Sequence, residues 1–257
     1  MIMEIVETKT QSVILITGAT SGIGLALARL FARDKHDVFL VARDEEQLKA
    51  VQKDLSQTYG VTVYYACGDL ADRHFVATLP ALVHEKQLVV SCLVNNAGSG
   101  VQGAFAETDW EKEITSFELI AYAPTYLSKV FLSDLIQNQG KILNVISTSA
   151  YAPGNGMAVY SAGKAYLLSF SESLSLELAS QGVTVTALVP GPTRTGFQSA
   201  NGLGELPTWR FPSAEAVASF GYRALQKNKT VAIHGLRNRI IYLILKYTPR
   251  FIVRMCA

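Results

Sequence analysis

Apolar residues follow two alternating rhythms along this chain. Six runs of strand length, at 13–17, 37–42, 61–66, 88–94, 141–146 and 183–189, are almost continuously apolar. Unbroken runs of that kind fit parallel strands covered on both faces. Between them, apolar positions recur every three or four residues, as at Leu25, Leu27, Ala28, Leu30 and Phe31, which predicts helices ending near Asp34, Tyr59 and Lys86. Two more helices are expected, one from Asp109-Trp110 to about Gln137 with a kink at Pro124, the other from Val159 to about Leu178. The alternation predicts an α/β fold, a doubly wound parallel sheet with right-handed crossovers and helices on both faces. There is no internal repeat, low-complexity segment or linker, so residues 1–257 are expected to form one domain.

Chemistry-bearing residues gather where the predicted strands end. The first strand runs into Gly18-Ala19-Thr20-Ser21-Gly22-Ile23-Gly24 and then a helix. In such a turn, backbone N–H groups at the helix N-terminus can receive a pyrophosphate, and the glycines let it approach. An ordinary glycine-rich turn would look similar, and the spacing departs from the commoner Rossmann fingerprint. After the second strand, Ala42 stands where an acid would bind a ribose 2′-hydroxyl and Arg43 follows, which favours NADP(H) over NAD(H). Alternatively Arg43 only caps a surface turn, and Asp44 keeps NAD(H) open. Asp69, after the third strand, either accepts from an adenine amino group or caps the helix starting near Asp72. Asn95-Asn96-Ala97-Gly98 ends the fourth strand, where asparagines are better used to bond neighbouring strand ends and line a ligand crevice than to fill a core.

Ser147 follows the fifth strand, and its hydroxyl either donates to a substrate carbonyl or satisfies the backbone. Tyr160 and Lys164 are four apart at the start of a helix, so phenol and ammonium share one face. A cation there is expected to pull the tyrosine pKa down and suit it to pass a proton near neutral pH. In Pro190-Gly191-Pro192-Thr193-Arg194-Thr195 the prolines stiffen the loop, and the threonine hydroxyls could bond a nicotinamide carboxamide or phosphates.

Composition narrows the picture by exclusion. Lys plus Arg number 23 against 21 Asp plus Glu, so no strong overall field or basic-aromatic patch invites nucleic acid. Cys67, Cys92 and Cys256 have no metal-type spacing and read as reduced thiols of a cytoplasmic protein, with no metal site. The first eleven residues lack the apolar core of a signal peptide or membrane span.

With Thr17-Gly18-x-x-x-Gly22-x-Gly24, Asn95-Asn96-Ala97-Gly98, Ser147, Tyr160-x-x-x-Lys164 and Pro190-Gly191 in this order, the sequence resembles the short-chain dehydrogenase/reductase family from about residue 13 to 233. The resemblance implies a Rossmann-like sheet of about seven strands, the last at 230–234, and an oxidoreductase interconverting a ketone or aldehyde and an alcohol. It implies that Tyr160 is the acid/base, that Ser147 orients the carbonyl oxygen, and that Lys164 lowers the tyrosine pKa and bonds the nicotinamide ribose. It further implies that Gly18, Ser21, Gly22, Ile23 and Gly24 form the pyrophosphate turn. Asp69, Leu70, Asn95, Ala97 and Gly98 would line the cofactor crevice, with Pro190, Gly191, Thr193 and Thr195 closing over the nicotinamide. One position departs from the family: Ile120 stands where an asparagine usually anchors a water of the proton relay. That motivates an alternative reading, a dinucleotide-binding sensor or scaffold with little turnover.

The family resemblance also suggests a homodimer or homotetramer packed through the helices starting near Trp110 and Tyr160. The loops expected to build the substrate pocket contain Phe105, Tyr151, Met157, Phe197, Trp209 and Phe211, a hint of an apolar small-molecule substrate. The segment 235–257 is basic and apolar but too short to span a bilayer, since Lys246 and Pro249 interrupt it. It could lie on a membrane surface, cover a substrate pocket, or pack on the domain or a subunit interface.

Overall fold

In the computed structural model, which describes residues 10–152, 154–197 and 211–249, seven parallel strands form one sheet. They are β1 (Gln11–Thr17), β2 (Val38–Ala42), β3 (Val63–Cys67), β4 (Leu88–Asn95), β5 (Lys141–Val145), β6 (Thr184–Val189) and β7 (Val231–Ile233), in the order β3-β2-β1-β4-β5-β6-β7. The chain moves outward from β1 in one direction and from β4 in the other. Their carboxyl ends therefore bound the crevice where open α/β sheets take ligands.

Both faces of the sheet are covered, which is why the strands carry no polar alternation. Ile14 and Ile16 of β1 point to a layer built by α1 (Gly22–Arg33) and α2 (Glu45–Tyr59), where Leu27, Phe31, Leu48 and Leu55 are buried. Val13 and Leu15 point to the opposite layer, where α3 (Arg73–His84) supplies Val76, Leu79 and Val83. The predicted strands agree with the observed ones to within a residue or two at each end.

The helix predicted over 109–137 is interrupted. It consists of α4 (Trp110–Phe117), a π-helical turn (Glu118–Tyr122), α5 (Ala123–Val130) and α6 (Leu132–Gln137). Pro124 has no N–H to give the Ile120 carbonyl. The chain accommodates it by widening just before the proline, with Ala123 N–H reaching back to the Glu118 carbonyl, rather than by kinking at Pro124 itself. A second break falls at Phe131, whose ring is fully buried and meets His84 edge-on at 6.0 Å. Then α7 (Ala158–Leu178) runs back along the sheet, and α8 (Ala214–Gln226) joins α1 on its layer, with Tyr222 donating to Asp34 at 2.7 Å. The segment predicted as a basic apolar tail contains α9 (Leu236–Tyr247), with no buried residue. Residues 250–257 of that tail, Cys256 among them, lie outside the described residues, as do Trp209 and residues 1–9.

Phe131→Ala should lower unfolding free energy by about 3–5 kcal/mol, the range for deleting a fully buried ring. Urea unfolding with an unchanged m-value would show it; a loss under about 1 kcal/mol would mean that the α5–α6 break collapses to fill the space.

Candidate active site

At the carboxyl ends of β1 and β4 the backbone is drawn together by side chains. Thr17 Oγ1 accepts from Asn96 N at 2.9 Å and Ala97 N at 3.0 Å, and donates to the Val94 carbonyl at 3.2 Å. Asn96 Nδ2 donates to the Thr17 and Gly18 carbonyls at 3.0 and 3.1 Å. A side chain on Gly18, which has φ +62°, would meet Asn96 and the Ala97 backbone, and one on Gly24 would overlap the Gly18 carbonyl. The turn is closed to any Cβ, and α1 starts directly against the strand end.

The N-terminus of α1 is left open. Ser21 is its N-cap yet makes no capping bond, and the first turn carries no acid. By contrast, Asp44 caps α2 by accepting from Gln47 N at 3.0 Å, and Asp72 caps α3 by accepting from His74 N at 2.8 Å. Unsatisfied N–H groups and positive dipole at an uncapped helix end suit an anion. Gly22 has φ +53°, and a side chain there would press on Thr195, so the loop after β6 reaches over this turn. These features fit a dinucleotide pyrophosphate at Gly18, Ser21, Gly22, Ile23 and Gly24.

Farther along the crevice, Arg43, Asp44 and Asp69 have definite partners. Asp44 is engaged as the α2 cap, with a second bond at 2.8 Å from Gln47 Nε2, so it is a poor ribose ligand. The Arg43 side chain is 72% exposed and stands 4.0 Å from Asp69 Oδ2, a loose pair that leaves the guanidinium accessible. Asp69 does not cap α3, because Asp72 does; it accepts from Ala71 N at 3.0 Å. Leu70 is buried in the layer with Phe39 and Val41, close to Thr17, Asn95 and Ala97.

Ser147 lies just beyond β5 and caps a 3-10 turn (Thr148–Ala150). Its Oγ accepts from Ser149 N at 3.2 Å and from Ser149 Oγ at 2.7 Å, so its own hydrogen is free to point elsewhere. The turn is held against the next strand by Thr148 N, which donates to the Pro190 carbonyl at 2.9 Å. Tyr160, in the first turn of α7, is buried between Gly100 and Phe197, whose ring centroid is 5.7 Å away.

Lys164 lies one turn on, its Nζ 5.8 Å from the Tyr160 ring centroid and donating to the Val145 carbonyl at 2.8 Å. The expected pull of Lys164 on Tyr160 is corrected by burial. Desolvation pushes the phenol above its ordinary pKa of 10.0, the Ser147 and Ser149 hydroxyls draw it back in part, and lysine is not among the causes. Burial also lowers Lys164, to about 8.

The structure thus gathers Ser147, Tyr160 and Lys164 at one place and the glycine turn at its flank. Thr193 is buried and donates to the Gly191 carbonyl at 2.8 Å, and Thr195 Oγ1 accepts from Phe197 N at 3.2 Å, so both hydroxyls hold the loop itself. Asn144, Ser171 and Ser149 help position the site and had no predicted role, whereas Asn95 bonds the neighbouring strand. Asn95 Nδ2 donates to Asn144 Oδ1 and Asn144 Nδ2 to Ser171 Oγ, both at 2.8 Å, which ties β4 through β5 to α7. Asn95 Oδ1 remains buried without a partner. Asn144 was detectable as a lone amide inside an apolar strand run, and Ser149 as part of a run of three hydroxyl residues.

A parallel sheet with an uncapped, glycine-lined helix N-terminus at its point of reversal defines a dinucleotide-binding protein. The chain belongs to the short-chain dehydrogenase family, whose model matches residues 12–205. It is 36% identical over 200 residues to granaticin polyketide synthase putative ketoacyl reductase 1 of Streptomyces violaceoruber, covering 73% of this chain and 70% of that one. It is 28% identical over 241 residues to the human inactive hydroxysteroid dehydrogenase-like protein 1, covering 93% and 72%. Among solved structures, a short-chain dehydrogenase from Sphingobium yanoikuyae in complex with NADPH superposes with a TM-score of 0.83 at 32% identity over 92% of both chains. The chain is an NAD(P)-dependent oxidoreductase of CH–OH groups acting on a small molecule.

The lysine gives a prediction with a definite sign. Its folded pKa of about 8 lies below its ordinary 10.5. Below about pH 8 the ammonium is present in both states and its burial penalty is complete. Between 8 and 10.5 the unfolded chain binds more protons, so this group's contribution to stability rises with pH. The unfolding free energy of the protein minus that of Lys164→Met should therefore climb across this window by on the order of 3 kcal/mol. A flat difference curve would mean that the ammonium is solvated.

Proposed function

We propose that the protein reduces the carbonyl of a fairly apolar ketone or aldehyde with NADPH, or oxidises the corresponding alcohol, with Tyr160 as acid/base. The observation that carries this reading is the convergence of a donor-ready Ser147, a buried Tyr160 and a buried Lys164 beside the open end of α1. The pyrophosphate would rest on the turn from Gly18 to Gly24, with Asp69, Leu70, Asn95, Ala97 and Gly98 along the crevice and the loop from Pro190 to Thr195 above. A nicotinamide held there supplies or accepts the hydride.

The protein's own groups manage the proton. The Ser147 hydroxyl, its lone pairs engaged by Ser149, donates to the substrate oxygen and fixes its position. The Tyr160 phenol, kept neutral by burial, gives its proton to that oxygen in the reductive direction. Lys164, near its own pKa at neutral pH, returns a proton toward the tyrosine, while its remaining N–H groups can bond a ribose. The NADP(H) preference rests on the exposed Arg43, on Ala42 in the acid's place, and on the occupation of Asp44 as a cap.

We read residues 1–257 as one cytoplasmic domain. Assembly through α4 and α7 is supported by exposed Trp110, Phe117, Tyr166 and Leu176 on those helices. The alternative, a nucleotide-binding sensor with little turnover, draws on Ile120, a fully buried side chain that can neither donate nor accept. Catalysed oxidation of NADPH by a carbonyl, abolished in Tyr160→Phe, rules it out.

Tyr160→Phe should lower turnover by about 10²–10⁴-fold while leaving NADPH affinity within a factor of about two. Unchanged turnover would remove Tyr160 from its role. NADPH should bind about tenfold tighter than NADH, about 1.4 kcal/mol, and Arg43→Ala should erase that gap by weakening NADPH alone. Titration of tryptophan-to-nicotinamide energy transfer reads both constants, and equal affinities in the unaltered protein would refute the assignment of Arg43.

A further inference from the structure

Charge is unevenly distributed along this nearly neutral chain. From residue 216 to 257 there is no Asp or Glu, and eight Lys or Arg: Arg223, Lys227, Lys229, Arg237, Arg239, Lys246, Arg250 and Arg254. The first 215 residues carry the opposite balance, 15 basic against 21 acidic. The fold collects the described part of the basic stretch, Arg223 to Lys246, at one edge, because α8, β7 and α9 are consecutive and β7 is the last strand of the sheet.

On α9 most of the apolar residues are not used to cover the domain. Leu236, Ile240, Ile241, Leu243, Ile244 and Tyr247 are exposed, Leu236 by 74% and Tyr247 by 78%. At 3.6 residues per turn these six fall within an arc of about 160°. Arg237 lies within that arc, between Ile244 and Ile241, and Arg239 and Lys246 border it on one side. Between the helix and the sheet edge, a groove of about 540 Å³ is lined by Val231 and Ile233 of β7, Leu243 of α9, and Arg223, Lys227 and Lys229. The helix is fixed in place from behind: Tyr242 packs on Tyr151 at 4.5 Å, Asn238 Nδ2 donates to the His234 carbonyl at 2.7 Å, and Arg239 Nε donates to the Ile233 carbonyl at 3.0 Å.

We propose that α9 and the basic edge around it form a docking face for an anionic lipid bilayer, on which the protein lies without crossing it. An apolar stripe with cations beside and within it matches an interfacial helix: the stripe enters the headgroup–acyl boundary and the basic side chains reach lipid phosphates. Among the described residues no helix is long and apolar enough to span a membrane. A second copy of the chain is the poorer occupant, because a two-fold contact sets a patch against itself and would oppose the six cations of α8, α9 and the turn before β7 to their own copies. The next residues in sequence, Arg250-Phe251-Ile252-Val253-Arg254, repeat the same basic-apolar composition.

The test is sedimentation of the full-length protein with vesicles of equal phosphatidylcholine and phosphatidylglycerol, against vesicles of phosphatidylcholine alone. Binding to the anionic vesicles only, falling as salt is raised and the Debye length contracts below about 10 Å, is the expected result. Ile240→Ser with Ile244→Ser, and separately Arg237→Gln with Lys246→Gln, should each weaken vesicle binding by at least about tenfold. Both variants should keep the NADPH affinity of the unaltered protein, which reports that they are folded. Tyr247→Trp should show a blue-shifted emission with anionic vesicles only.

Absent binding to anionic vesicles at low salt, equal binding to both vesicle types, or undiminished binding by both double variants would overturn the proposal. So would a dimer that dissociates on Ile240→Ser with Ile244→Ser and has no affinity for lipid, which would assign the face to a second copy.

Discussion

The close approach of β1 and β4 at their carboxyl ends is the constraint on which the site depends. The β1–α1 turn must leave the sheet with its first helical N–H groups aimed outward, and it can do so only if α1 begins almost in contact with the strand end. Gly18 and Gly24 permit that contact, and Asn96 holds it by bonding two successive carbonyls of the turn. Thr17 closes the other side by accepting two backbone N–H groups of the β4 turn through one hydroxyl. A half-buried polar cluster with its partners in place resists opening, because each lost bond would leave a partly desolvated group. Rigidity there is what allows an uncapped helix end to persist.

A second polar network transmits the geometry of the sheet to the start of α7. Asn95, Asn144 and Ser171 form a chain of side-chain bonds from β4 across β5 to the middle of α7, and Ser171 donates onward to the Leu167 carbonyl at 2.6 Å. Lys164 adds a tie from α7 to the end of β5 through the Val145 carbonyl. The start of α7, and with it Tyr160, is therefore registered against the strand that presents Ser147. Hydrophobic packing of Leu167 and Leu168 against Ala187 and Val189 supplies the bulk of that contact, and the bonds fix its register.

The sheet could be read from sequence because both its faces are covered: Val13 and Leu15 face one layer, Ile14 and Ile16 the other, and the run is apolar throughout. The 110–137 region was not legible in the same way. Its apolar periodicity is continuous, but the widening before Pro124 and the break at Phe131 are set by tertiary packing that periodicity does not encode. In the site, residues acting through backbone geometry or local spacing were visible: the glycine turn, the asparagine pair, and Tyr160 with Lys164. What stayed hidden were pairings between distant segments, such as Asn144 with Ser171, and the sign of the Tyr160 shift. Helical spacing brings a cation near the phenol but does not reveal that burial governs the shifts of both groups.

Ile120 is part of the apolar packing around the Lys164 end of the site. Its side chain is fully buried; a Cβ added at Gly163 would stand 3.1 Å from its Cγ2, and one added at Gly98 would stand 3.8 Å from its Cγ1. Gly163 lies one residue before Lys164, and Gly98 faces the lysine nitrogen, so the isoleucine packs beside the ammonium and contributes no dipole to it. An ammonium in such surroundings loses more hydration than it regains from one carbonyl, and its pKa falls. A lysine near 8 releases its proton more readily at neutral pH than one near its ordinary value. Under the proposed assignment, Ile120 offers the relay no water anchor, whereas a lysine lowered by burial gives up its proton more readily, and the two would act in opposite directions on the rate at which Tyr160 is recharged.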